Sequence, residues 1–152
     1  MQKSNYKLFV IAVIAAAIVG IALWYFLIFK APIALSDAIN NQLEGDTGYS
    51  VSSIEEMAAD ESPAFAATDT NGQSFDQVAQ AIATTKIVYE KDEVGAVFEN
   101  KSYTITINSS TSDDCMSFTL TDKTTLHIND SEKTYTLQDS TLYVLCSGLN
   151  FS

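Results

Sequence analysis

Arginine is absent from this chain of 152 residues, so all eight of its cations are Lys. Beyond residue 30, five Lys face all nineteen Asp and Glu, a formal charge of −14. That sign repels phosphate backbones and anionic headgroups, which argues against nucleic acid and against a second, peripheral membrane contact. Histidine occurs once, at His127, and without a second His or a Cys cluster a zinc site lacks its ligands. Glycine is sparse: there is no Gly-rich phosphate loop and no Gly-x-Ser-x-Gly nucleophile elbow. Cysteine occurs twice, never as Cys-x-x-Cys, so the usual redox spacing is missing. The acids fall in scattered pairs, such as Glu55-Glu56 and Asp113-Asp114, with no spacing diagnostic of a glycosidase or metal site. Asp69-x-Asn71-Gly72 starts like a calcium loop, but its Gly is misplaced and Gln80 stands where the closing Glu belongs. The expectation is therefore a non-catalytic protein without a cofactor.

What the chain does have is one long apolar run. Residues 8–29 are 22 consecutive apolar or aromatic residues with no charge and no Pro. As a helix they span roughly 33 Å, enough to cross the hydrocarbon core of a bilayer. A cleaved signal peptide has a shorter core and a small-x-small site after it, whereas Phe29-Lys30-Ala31-Pro32 follows here. A retained membrane anchor is the expectation. Lys3, Lys7 and the α-amino group precede the run without any acid, and only acids follow Lys30 until Lys86. The positive-inside rule then puts residues 1–7 in the cytoplasm and residues 31–152 outside it. Trp24 and Tyr25 near the outer end suit the headgroup region. Ala12, Ala16 and Gly20 form a small-residue stripe through which two such helices could pack.

The spacing of Leu35, Ala38, Ile39 and Leu43 predicts a helix over about 33–44 that stops at Gly45. Residues 30–45 read as a stalk or juxtamembrane helix, in continuity with the anchor through Pro32. Residues 46–152 read as an extracytoplasmic α+β domain. Ser53-Ile-Glu-Glu56 fits a capping box and predicts a short helix to about residue 60. Residues 61–73 read as a loop or small hairpin. Ser74-Phe-Asp-Gln77, followed by Val78, Ala79 and Ile82 on one face, predicts a helix over 75–84.

From Lys86 the period changes to two. Ile87–Tyr89, 96–98, 103–107, 116–120, 126–128, 135–137 and 142–145 predict six to seven antiparallel strands with a Thr-rich face toward water. The fold class is thus α+β: a transmembrane helix, one to three short helices, then an antiparallel meander. His127, between Leu126 and Ile128, belongs on the polar face.

In an exported domain Cys115 and Cys146 are expected to form a disulfide, worth roughly 3–4 kcal/mol for a loop of about 30 residues. Asn100, Asn108, Asn129 and Asn150 each open an Asn-x-Ser sequon and are candidate glycosylation acceptors. The order of parts (apolar N-terminal helix, amphipathic extension, antiparallel sheet, paired cysteines near the C-terminus) resembles a type IV pilin. The processing signature of that family is not matched, since Lys7 directly precedes Leu8 and no acid occurs before Asp37. The resemblance carries no site residue across; it implies a pilin-like filament or pseudopilin subunit as the alternative function. The leading expectation is a single-pass anchored binding or scaffold domain of the cell envelope. Its partners would be the bilayer through residues 8–29, and another envelope protein or a second copy.

Overall fold

In the computed structural model the described residues are 2–43, 48–58, 64–68, 73–92, 101–131 and 133–152. They form two compact units, residues 1–31 and residues 32–152. The first unit is helix α1, Gln2–Phe29. Its segment Tyr6–Ile28 is long and apolar enough to cross a membrane. The side chains of Leu8, Ile11, Ile18, Ile21 and Leu23 are all exposed, the condition of a helix apolar on every side and suited to lipid.

The second unit is α+β. Its elements run β1 (Ile33–Ala34), α2 (Leu35–Gln42), β2 (Tyr49–Met57), β3 (Phe65–Ala66), α3 (Gln73–Thr84) and β4 (Lys86–Asp92). Then follow β5 (Ser102–Ser109), β6 (Cys115–Leu120), β7 (Thr125–Ile128), a 3-10 turn at Asn129–Ser131, β8 (Lys133–Leu137) and α4 (Thr141–Ser147). All eight strands join one sheet in the order β1-β4-β8-β7-β6-β5-β2-β3, antiparallel throughout. The meander expected over residues 103–137 is its centre. Strands β2 and β4 flank the meander on opposite sides, so the chain between them must cross the sheet, and α3 carries the crossing. The sheet has more strands than the six to seven expected, because β1, β2 and β3 arise from segments without clean alternation.

Period-two patterning decides which face is covered. Tyr103, Ile105 and Ile107 of β5, Met116, Phe118 and Leu120 of β6, Leu126 and Ile128 of β7, and Tyr135 and Leu137 of β8 are buried together. Leu35 and Ile39 of α2, Val78, Ala81 and Ile82 of α3, and Leu142 and Cys146 of α4 complete that core. The three helices of this unit therefore share one face of the sheet.

Three local expectations are corrected. Ser53–Glu56 is strand, not a capped helix: β2 pairs with β5 from Tyr49↔Ser109 to Met57↔Ser102, with an irregularity between Val51 and Ser53. A capping box supplies a few local bonds, and a ladder of this length outweighs them. Residues 142–145 are helix, not strand. Asp139 Oδ1 accepts from the Thr141 N–H at 2.9 Å, and Leu142 and Cys146, four apart, face the core. A four-residue apolar run has no periodicity to separate helix from strand. Helix α2 forms where its spacing predicts, but β1 separates it from α1 and its apolar face lies in the core of the second unit. The helix is thus interrupted between the anchor and α2. Within 61–73, where a loop or small hairpin is expected, β3 pairs with β2 rather than with a strand of the same segment. The turn at 69–72, the helix stop at 45 and the strand at 96–98 lie outside the described residues.

Candidate functional site

The opposite face of the sheet carries side chains of another chemistry. The register places Glu55, Thr104, Thr119, His127 and Thr134 in one line across β2, β5, β6, β7 and β8. The hydroxyls are held by one another. Thr104 Oγ1 and Thr119 Oγ1 are 3.0 Å apart, and Thr119 donates to Asn129 Oδ1 at 3.1 Å. Asn129 Nδ2 donates to Ser117 Oγ at 2.8 Å. His127 Nδ1 lies 3.2 Å from Thr134 Oγ1, on the polar face where alternation puts it. Such a network fixes rotamers before any partner arrives.

At one end of the sheet an open cleft of about 630 Å³ is lined by Lys101, Asp122, Lys123 and Tyr143. Lys101 Nζ donates to Glu56 Oε1 at 2.7 Å, and the Tyr143 hydroxyl donates to the Lys101 carbonyl at 2.9 Å. Tyr103 meets Tyr143 edge-on at 5.1 Å and lies beside Phe151 at 5.7 Å between ring centroids. Burial, then the neighbouring Glu56 carboxylate, push the Tyr103 phenol up. Burial would also raise Asp122, but hydrogen bonds from Thr124 and Thr125 to its carboxylate outweigh that, and its pKa falls. Two of the five Lys beyond residue 30 line this cleft, which sets it apart on an acidic domain.

The cysteines are not brought together. Cys115 stands opposite Asn108 on β5, while α4, which carries Cys146, docks through Tyr143 on Tyr103 at the other end of that strand. Five positions of strand separate those places, roughly 16 Å, against the 7 Å or less between Cα atoms that a disulfide needs. Both thiols are free, Cys115 exposed and Cys146 buried. Burial pushes the Cys146 thiol from 9.0 up to about 12.

The Cys146 shift has a consequence at alkaline pH. The folded pKa lies above the unfolded one, so the stabilisation is complete below pH 9 and lost as pH rises toward 12. Between pH 8 and 10.5 the urea midpoint is expected to fall by the equivalent of about 2 kcal/mol from this one group. Cys146→Ala should flatten the slope; an unchanged midpoint would refute the assignment.

The sequons divide. Asn108 is exposed on β5 and Asn150 is exposed near the C-terminus. Asn129 is half-buried with its amide nitrogen committed to Ser117. Asn100 lies outside the described residues. Ala12, Ala16 and Gly20 are exposed on α1, and nothing lies within 4 Å of a Cβ built on Gly20. Among the described residues no group of three or more His, Cys, Asp or Glu is placed to hold a metal ion. Sequence reasoning missed the cleft altogether, because Lys101, its partner Glu56 and Asp122 meet only through strand register, and Tyr143 only through the docking of α4. The one local hint was Asp122 before Thr124-Thr125, an Asx-turn pattern.

No family model matches the chain, and neither a curated protein nor a solved structure matches it.

Proposed function

We propose that this chain is a single-pass membrane-anchored domain that binds or scaffolds another envelope protein outside the cytoplasm. The observation that carries the reading is the division of the sheet. The helices of the second unit all pack on one face, and the other carries an ordered line of hydroxyl, imidazole and carboxamide groups, half-buried around a buried Thr119. A surface whose rotamers are already held loses little entropy on association. Helix α1 supports anchoring through its length and apolarity, and the Lys distribution supports a cytoplasmic N-terminus.

A photoreactive residue at Thr106 or Thr134 on the open face should crosslink a distinct protein in native membranes. The same residue at Gln77, exposed on α3, should give several-fold less. Equal yields from both sides would refute the face assignment. Recovery of this chain alone would replace the scaffold reading with self-assembly, the pilin-like alternative.

A further inference from the structure

We propose that a second cavity, between the end of helix α2 and the β7–β8 connection, binds a neutral saccharide ring. The cavity holds about 290 Å³. That lies at the small end of ligand pockets and suits a single pyranose rather than an extended chain. Asn41 and Gln42 of α2, Ser131 of the 3-10 turn, and Lys133, Tyr135 and Ile128 of the sheet line it.

Its chemistry is mixed in a specific way. The carboxamides of Asn41 and Gln42 each offer both donors and acceptors, as the vicinal hydroxyls of a sugar require. Lys133 adds a donor, and Tyr135 and Ile128 supply an apolar wall for the C–H face of a ring. Ser131 Oγ is buried and has no hydrogen-bond partner among the described residues. A buried hydroxyl left unpaired is costly, and it marks this wall of the cavity as polar.

Charge decides against an anion despite Lys133. The cavity lies at the C-terminal end of α2, where the helix dipole is negative, on a domain of formal charge −14 beyond residue 30. A neutral ligand meets neither penalty. The cavity lies on the helix-covered side of the sheet, so this inference stands apart from the partner-binding face.

The test uses the whole chain in lipid nanodiscs, avoiding sugar-based detergents. Glucose, galactose and N-acetylglucosamine are titrated singly, with acetate and butyrate as anionic comparisons, following backbone amide shifts. The expected result is saturable millimolar binding of at least one sugar, centred on Asn41, Ser131 and Lys133 and insensitive to salt. Asn41→Ala and Gln42→Ala, at exposed positions that do not support the core, should each weaken it about fivefold, one hydrogen bond's worth. Gln77→Ala should leave it unchanged. Three results would overturn the proposal: no saturable shift with any sugar, binding of the carboxylates alone with salt dependence, or binding that both α2 variants leave intact.

Discussion

Phe118→Ala is expected to destabilise the second unit by about 3–5 kcal/mol, a large share of the roughly 5–15 kcal/mol that holds a domain folded. Phe118 is fully buried. It lies on β6 near the middle of the sheet, in register with Ile105 on β5 and Ile128 on β7. Its ring fills the space over which the helices pack, so truncation leaves a cavity that rigid strands on both sides cannot close. Phe65→Ala is the matched comparison: the same side chain is 48% exposed on the two-residue edge strand β3. It should cost less than about 1 kcal/mol. Urea unfolding of both variants, followed by circular dichroism, checks the contrast. Similar losses from the two sites would mean that the core is not centred on β6.

The second large effect is a difference in thiol reactivity. Cys115 is exposed at the start of β6 and should react at once with a membrane-impermeant maleimide on intact cells, without reductant. Cys146 is 0% exposed and should react only through unfolding. With roughly 5 kcal/mol or more of stability, that makes it slower by about 4 × 10³-fold or more. Cys115→Ser should abolish the fast label, and denaturant should release the slow one. Labelling that waits for reductant would restore the disulfide. Labelling that waits for permeabilised membranes would reverse the proposed orientation.

The disulfide expectation failed for a physical reason. The compartment argument sets whether a bond is chemically favoured, but a bond also needs two Cβ atoms within reach. That distance depends on strand register and on where α4 docks, neither of which is local. The same reason hid the cleft, whose members lie on two connections and on helix α4.

Alternation read the meander well, because each strand from β5 to β8 has one covered and one uncovered face and its side chains must obey that division. The helix at Gln73–Thr84 was legible for the matching reason, its apolar residues falling on one side of a 3.6-residue period. Segments 53–56 and 142–145 were misread because their local signals are worth about 1 kcal/mol and tertiary pairing or packing is worth more.

By itself, the sequence determined three things about this protein: an apolar helix long enough to cross a membrane, the α+β class, and a polar, hydroxyl-rich sheet face. Each follows from which side chains water accepts, a property that a short window of sequence already contains. The tertiary structure alone decided the rest. It seated β2 and β4 on opposite sides of the meander and turned 142–145 into a helix. It set the two cysteines far apart and gathered Lys101, Asp122, Lys123 and Tyr143 around one cleft. These outcomes rest on long-range strand pairing and on the docking of helix α4, through which residues forty or more positions apart become neighbours, and no local pattern encodes such distances.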